Sequence, residues 1–356
     1  MKHVLLSPLL FLAACSSGTS SSSTTSTSTE QPTATTTVSA PKDTFSTGQV
    51  IPSVSLNADP SQNFALYLPD NYVQGAKFPV IIFFDPHGDG TVPLNLYKDL
   101  AGKFHYILIG SNSSKNGMGF EQTKIIADNL VTEAKTRFGV DQGHITFCGF
   151  SGGAKVALLS GASNGSVSTI IYCGAAVESN PDHPLTLLGF AGKRDMNYTD
   201  VVSFNEGLAR STLKHYLVEW GGKHEFPTAD VFNDAFTLLA TGTIDNYDKK
   251  QATITPEKMA EEQSMKQQLY QALQDKDMAW WKSEVAMLNA KKKTDMMYDR
   301  LLGFVSLACY SLSNNALQQN NLPVAEKILP IYALADPTNE DCKKFTAQLK
   351  QKQAGK

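Results

Sequence analysis

Ile145-Thr146-Phe147-Cys148-Gly149-Phe150-Ser151-Gly152-Gly153-Ala154 is the stretch on which the fold turns. Its first four residues are mostly apolar on both faces, as in a strand buried between two layers. From Ala154 to Ala162 the spacing is helical. Between the two lies Gly149-Phe150-Ser151-Gly152-Gly153, a G-x-S-x-G pentad. A serine at such a sharp strand-to-helix turn has a strained backbone. The small residues around it let neighbouring chain approach closely, which lifts the hydroxyl above the sheet edge. A serine hydroxyl is a poor nucleophile until a base removes its proton, so a histidine positioned by a carboxylate is required elsewhere.

On either side of this turn, short apolar runs alternate with amphipathic segments from about residue 50 to 245. The runs are Asn63 to Leu68, Val80 to Phe84, Tyr106 to Ile109, Thr169 to Tyr172, Leu185 to Leu188 and Tyr216 to Trp220. Helical spacing recurs over Thr123 to Phe138 and Thr228 to Leu239. This alternation predicts an α/β fold with a doubly wound, mostly parallel sheet. After Asp245 the strand-like runs stop, and Pro256 opens a helix-rich region. There Cys309, Leu312, Ala316, Ala325, Leu329, Tyr332 and Pro337 resemble the small and large positions of one tetratricopeptide helix pair, with Asp336-Pro337 closing the second helix. Residues 260 to 300, with Trp280 and Trp281, read as a degenerate preceding pair, and a plain helical hairpin capping the sheet domain is the alternative. The expected domains are 49–248 for the α/β part and 256–352 for a small all-α, tetratricopeptide-like part.

In the order Ser, acid, His, two turns supply the partners of Ser151. Gly192-Lys193-Arg194-Asp195 follows one strand run, and Gly221-Gly222-Lys223-His224 follows another. Both lie just past strand ends, the edge at which open α/β sheets place their sites. His105, His144 and His215 sit at strand starts on the opposite edge, His183 precedes the acid, and His3 falls in the leader, which leaves His224 as the base. Asp195 is the preferred acid, with Asp200 and Asp182 near enough in sequence to substitute. A tetrahedral intermediate also needs amide donors for its oxyanion. One is expected from Gly152 and the other from the loop Asp85-Pro86-His87-Gly88-Asp89-Gly90. Counting from the strand favours the His87 amide and taking His87-Gly88 as an HG motif favours Asp89; His87 is preferred, because the oxyanion donor normally follows the strand closely.

The pentad, the Gly192 to Asp195 turn and Gly221-Gly222-Lys223-His224-Glu225-Phe226-Pro227 together resemble the lidless polyhydroxyalkanoate-depolymerase and feruloyl-esterase branch of the α/β-hydrolases. In that branch the histidine commonly lies in a Gly-Gly-x-His-x-aromatic-Pro setting. The resemblance covers about residues 50 to 245 and implies Ser151, Asp195 and His224 as a catalytic triad acting on esters, with no cofactor. Asp85-Pro86 stands where the branch usually has His-Gly, and its cysteine pattern is absent. The short connection between Ala175 and the strand before Asp195 leaves little room for a lid domain, which suits bulky or polymer-linked acyl groups.

At the amino end, Val4 to Ala14 is an apolar run too short to span a membrane, preceded by Lys2. Leu12-Ala13-Ala14-Cys15 resembles a bacterial lipobox, which implies a signal peptide over 1–14 and a lipid on Cys15. Residues 15–48 are expected to be a Ser/Thr-rich tether, too poor in apolar surface to offset the entropy of ordering. The body would then work in the bacterial cell envelope, held to a membrane. The formal net charge of −3, with no dominant basic stripe, gives no reason to expect nucleic acid. The cysteines form no CxxC pair, so no metal site is expected. Cys148 and Cys173 read as buried strand residues, and an oxidising compartment permits a Cys309–Cys342 disulfide. Two other readings stay open: a catalytically silent hydrolase fold whose helical part recruits a protein partner, and a serine peptidase or acyltransferase.

Overall fold

The structure, a computed structural model, describes residues 44–245, 247 and 254–355. The expected signal peptide, Cys15 and most of the expected tether lie outside the described residues. The described residues from Phe45 onward form one compact unit.

Eight strands among the described residues make one sheet. They are β1 (Val50–Ser55), β2 (Asn63–Tyr67), β3 (Phe78–Phe84), β4 (Ile107–Ser111), β5 (Val140–Phe150), β6 (Thr169–Cys173), β7 (Thr186–Gly192) and β8 (Lys214–Trp220). Their order is β1-β2-β4-β3-β5-β6-β7-β8. The β1–β2 and β2–β4 pairs are antiparallel, and every other pair is parallel. Parallel neighbours need crossovers, and helices supply most of them: α1 (Thr91–Phe104), α2 (Phe120–Arg137), α3 (Gly152–Ala162) and α4 (Tyr198–Leu208), while β6 runs to β7 without one and α5 (Ala229–Thr241) follows β8.

Alternation along the strands divides the core into two layers. Val80, Ile82, Phe84, Ile145, Phe147, Ile170 and Leu187 share one layer with Ile126 and Leu130 of α2, Leu158 of α3 and Val201 of α4. Ile81, Phe83, Leu108, Cys148, Ile171 and Leu188 share the other with Tyr97 of α1 and with Phe232 and Phe236 of α5. Strands buried on both faces are therefore apolar throughout, which is why the runs at β3 to β7 read clearly.

Three elements escaped the sequence reading. In β1 several side chains are exposed and Pro52 interrupts the run, as an edge strand tolerates. Helix α1 starts without a side-chain cap from Gly90 in helical conformation, and Pro93 lies in its first turn. Helix α4 also lacks a side-chain cap bond. In addition, β5 begins at Val140 rather than Ile145, because Asp141 to His144 are polar and mostly exposed.

The region after residue 254 is all helical: α6 (Pro256–Asp275), α7 (Met278–Lys291), α8 (Met296–Gln318), α9 (Leu322–Ala335) and α10 (Glu340–Ala354). Side-chain caps begin most of these helices: Thr255, Asp277, Asp295 and Asn339 each accept an amide from the first turn. Trp281, Leu301, Val305, Cys309, Ala325, Leu329 and Tyr332 form a core of their own. No described helix is long and apolar enough to cross a membrane.

Cys309 and Cys342 are free and buried, so the disulfide that an oxidising compartment permits is not formed. Burial pushes the Cys309 thiol up to about 12. At pH 8 only about 10⁻⁴ of it would be thiolate, the reactive form. Iodoacetamide at pH 8 is therefore expected to leave Cys309 unmodified in the folded chain and to modify it after denaturation, as read by peptide mass spectrometry.

Candidate active site

Parallel strands that run in register end together, and the chemistry-bearing turns follow from that. Phe84 pairs with Gly149, Gly149 with Tyr172, and Gly192 with Trp220. Ser151 follows β5, Asp195 follows β7 and His224 follows β8, so three residues far apart in sequence emerge at one rim.

Ser151 has φ 54 and ψ −120, a region that non-glycine residues rarely adopt. Its amide donates to the Cys173 carbonyl at 2.9 Å, which ties the turn to β6. Glycine is needed on both sides for space. A Cβ on Gly149 would lie 2.0 Å from the Gly153 carbonyl oxygen, and one on Gly153 would lie 1.9 Å from the Phe84 carbonyl oxygen. Both obstacles are backbone, which cannot rotate aside. Gly153→Ala is therefore expected to destabilise the fold by about 2–4 kcal/mol, read as a lower urea midpoint with unchanged slope.

His224 Nε2 lies 2.9 Å from Ser151 Oγ, and His224 Nδ1 lies 2.9 and 3.0 Å from the two carboxylate oxygens of Asp195. Asp195 is 1% exposed, so its charge depends on hydrogen bonds. The Asn197 amide supplies one at 2.8 Å to Oδ1. Gly174, at φ 64, packs over the pair: a Cβ there would stand 2.8 Å from Asp195 Oδ2 and 3.4 Å from His224 Nδ1. The two turns are also joined through backbone, with the Lys193 amide on the Trp220 carbonyl at 2.8 Å and the Arg194 amide on the Gly222 carbonyl at 2.9 Å.

The residues after His224 have a physical task. Phe226 packs against Phe150 with ring centroids 5.0 Å apart, and Phe150 packs against the His224 ring at 4.7 Å. Tyr97 Oη donates to the Pro227 carbonyl at 2.7 Å. Burial, above all, holds the Tyr97 phenol well above the usual tyrosine range, so it remains a donor. The aromatic and the proline thus fix the His224 ring from behind.

The loop after β3 is arranged less simply. The His87 amide donates to Asp85 Oδ1 at 2.8 Å, and the Asp89 amide approaches the same oxygen at 3.3 Å. Both expected registers therefore end on one buried carboxylate. The Gly152 amide belongs to the first turn of α3, where donors have no carbonyl partner within the helix. Asn116, which the sequence reading missed, lies beside it: a Cβ on Gly152 would fall 1.8 Å from Asn116 Oδ1. No motif signals Asn116, because the β4–α2 loop brings it there.

The other candidates lie elsewhere. His183 bonds Asp182 at 2.8 Å and the Val167 carbonyl at 3.0 Å, near the start of β6. His144 pairs with Asp141 at 2.8 Å, and His215 faces Asn205 at 3.2 Å. Asp200 lies within α4, and it is Asp195 whose carboxylate oxygens face His224 Nδ1. Among the described residues, no group of three or more His, Cys, Asp or Glu side chains is gathered so as to hold a metal ion.

The strand order, the turn after β5, and the acid and histidine after β7 and β8 determine the fold class. The fold is that of the α/β-hydrolases, followed by an all-α region. No family model matches the sequence, and no curated protein matches it. Solved structures similar to it include a hyperthermophilic esterase from the archaeon Pyrobaculum calidifontis, at 12% identity, with 56% of this chain and 87% of that one covered and a TM-score of 0.45. An S-formylglutathione hydrolase from Staphylococcus aureus is 14% identical over 55% of this chain and 98% of that one, with a TM-score of 0.47. Esterase B from Lactobacillus rhamnosis is 14% identical over 55% of this chain and 88% of its own, with a TM-score of 0.46.

Proposed function

We propose that the chain is a serine hydrolase that cleaves carboxylic esters through an acyl-enzyme. The observation that carries this reading is the unbroken hydrogen-bond chain from Ser151 Oγ through His224 to Asp195, with contacts of 2.9 to 3.0 Å. His224 Nε2 takes the Ser151 proton as Oγ attacks the ester carbonyl, and Asp195 steadies the imidazolium through Nδ1. The Gly152 amide receives the developing oxyanion, and His87 is the second donor once its amide exchanges Asp85 Oδ1 for the substrate oxygen. The imidazolium then protonates the departing alkoxide, and water repeats the sequence on the acyl-enzyme. The β6–β7 connection over residues 174–185 contains no helix, which supports an open site for bulky or polymer-linked esters. In this reading the chain is exported, Cys15 carries a lipid, and the tether holds the enzyme to a membrane of the bacterial envelope. The helical region, taken as tetratricopeptide-like, offers a surface to a protein partner.

One observation favours the silent binding module. Both loop amides that could receive an oxyanion already face the Asp85 carboxylate. Labelling with a fluorophosphonate and mapping the modified peptide separates the readings. Label on Ser151 supports the hydrolase, and an unreactive folded chain supports the binding module. A panel of aryl esters, acylated glycans and peptides then separates esterase from peptidase, and added alcohol acceptors reveal acyl transfer.

A further inference from the structure

The loop that presents Asp195 is held from the other side by charges belonging to the helical region. On α6, Glu262 and Lys266 lie one turn apart, and α8 brings Arg300 against them; all three are buried. The Arg300 guanidinium forks onto the Glu262 carboxylate, with Nε at 2.9 Å and Nη2 at 2.6 Å from Oε2. Its remaining nitrogen, Nη1, donates to the Lys193 carbonyl at 2.7 Å. Lys266 Nζ lies 3.2 Å from Glu262 Oε1 and donates to the Met196 carbonyl at 2.7 Å and to Thr199 Oγ1 at 3.2 Å. The two backbone oxygens so held, of residues 193 and 196, bracket Asp195.

Further contacts make this a fitted joint. Arg194 pairs with Asp299 at 3.0 Å, and Gly303 lies against the Met196 side chain, where an added Cβ would approach within 3.4 Å. The Arg300 guanidinium stacks over Tyr198 at 4.8 Å, and Tyr198 Oη donates to Glu219 of β8 at 2.5 Å. As a source of stability a buried ion cluster is weak, since the desolvation of its charges offsets their attraction. Here two cations face one carboxylate, and the surplus positive charge is directed at the two loop carbonyls. That arrangement specifies where the loop sits.

We propose that Lys266 and Arg300 are positioning residues for the triad: by holding the Met196 and Lys193 carbonyls, they fix the loop that presents Asp195 to His224. The helical region is then a working part of the active site. This proposal rests on the reading of Ser151, His224 and Asp195 as a triad.

Two variants of the full chain test it. Lys266→Met removes the lysine's contacts with the Met196 carbonyl and Thr199 Oγ1 and leaves the Arg300 fork on Glu262 intact. The triple change Glu262→Leu, Lys266→Met and Arg300→Met removes the network without stranding a buried charge, so it tests the idea even if the single variant fails to fold. Each is assayed well below its thermal midpoint by fluorophosphonate labelling rate, by kcat and KM on p-nitrophenyl butyrate, and by the downfield proton resonance of the His224–Asp195 hydrogen bond. The expected result is an unchanged KM, labelling and kcat lowered about 10- to 100-fold, the cost of an ångström-scale misplacement, and a shifted or broadened proton resonance. Lys266→Arg, which keeps a charged donor, is expected to recover most of the rate. A folded triple variant with wild-type labelling and an unchanged resonance overturns the proposal. If wild type itself is not labelled, the hydrolase reading fails. The resonance then decides positioning alone: its loss in the triple variant supports it and its persistence overturns it.

Discussion

Ser151→Ala is expected to lower kcat on p-nitrophenyl butyrate by about 10⁶-fold and to abolish fluorophosphonate labelling. The reasoning is geometric. Ser151 Oγ is the atom that His224 Nε2 faces at 2.9 Å, and methyl offers nothing to deprotonate. The remaining machinery would still bind ester and orient amides, leaving a residual acceleration of about 10³–10⁴ over water from attack by an unactivated water molecule. The fold is expected to survive, because alanine also fits the space at φ 54 and the flanking glycines are untouched. An unchanged urea midpoint beside the lost rate is the check. A folded variant that retains more than a few per cent of wild-type kcat would place the nucleophile elsewhere.

Asp195→Asn is expected to cost about 10⁴-fold in kcat with little change in KM. Asp195 Oδ1 already accepts the Asn197 amide at 2.8 Å. An asparagine that keeps its carbonyl oxygen on that amide turns its NH2 toward His224 Nδ1. Where Nδ1 accepts from that NH2, the ring proton moves to Nε2 and faces Ser151 Oγ, and there it blocks proton abstraction. The change is nearly isosteric, so the loss belongs to the wrong tautomer rather than to collapse of the loop. Steady-state kinetics at fixed pH measure it, and a loss under tenfold would mean that Asp195 is not the orienting acid.

The legible parts of the molecule are those in which a local pattern and the tertiary role coincide. At β3 and β5 every residue near the site end is buried, so Val80 to Phe84 and Ile145 to Cys148 read as strands without knowledge of their neighbours. The turn at Ser151 was legible because Gly149 and Gly153 are required by backbone approach within the motif itself. Ser, acid and His were then ordered by topology. Helix α1 was hidden because its signals conflict: Leu94, Tyr97 and Ala101 have helical spacing, whereas Gly90 and Pro93 resemble a loop. The Asp85 cap on two amides was hidden because an aspartate at that position carries no mark of which donors it will meet. Lys266 and Arg300 were hidden for a deeper reason. Glu262 and Lys266 look like any exposed i, i+4 pair on a polar helix, and only the packing of α6 and α8 on the turn after β7 turns them inward.

That last contact bears on how the chain is made. Translation proceeds from the amino end, so Ser151, Asp195 and His224 all leave the ribosome before Lys266 and Arg300 have been added. A nascent polypeptide halted at residue 250 carries all three side chains but lacks the cations that hold the Met196 and Lys193 carbonyls. On the positioning role proposed above, full hydrolytic competence would then arrive only when the distal helices dock on the turn after β7.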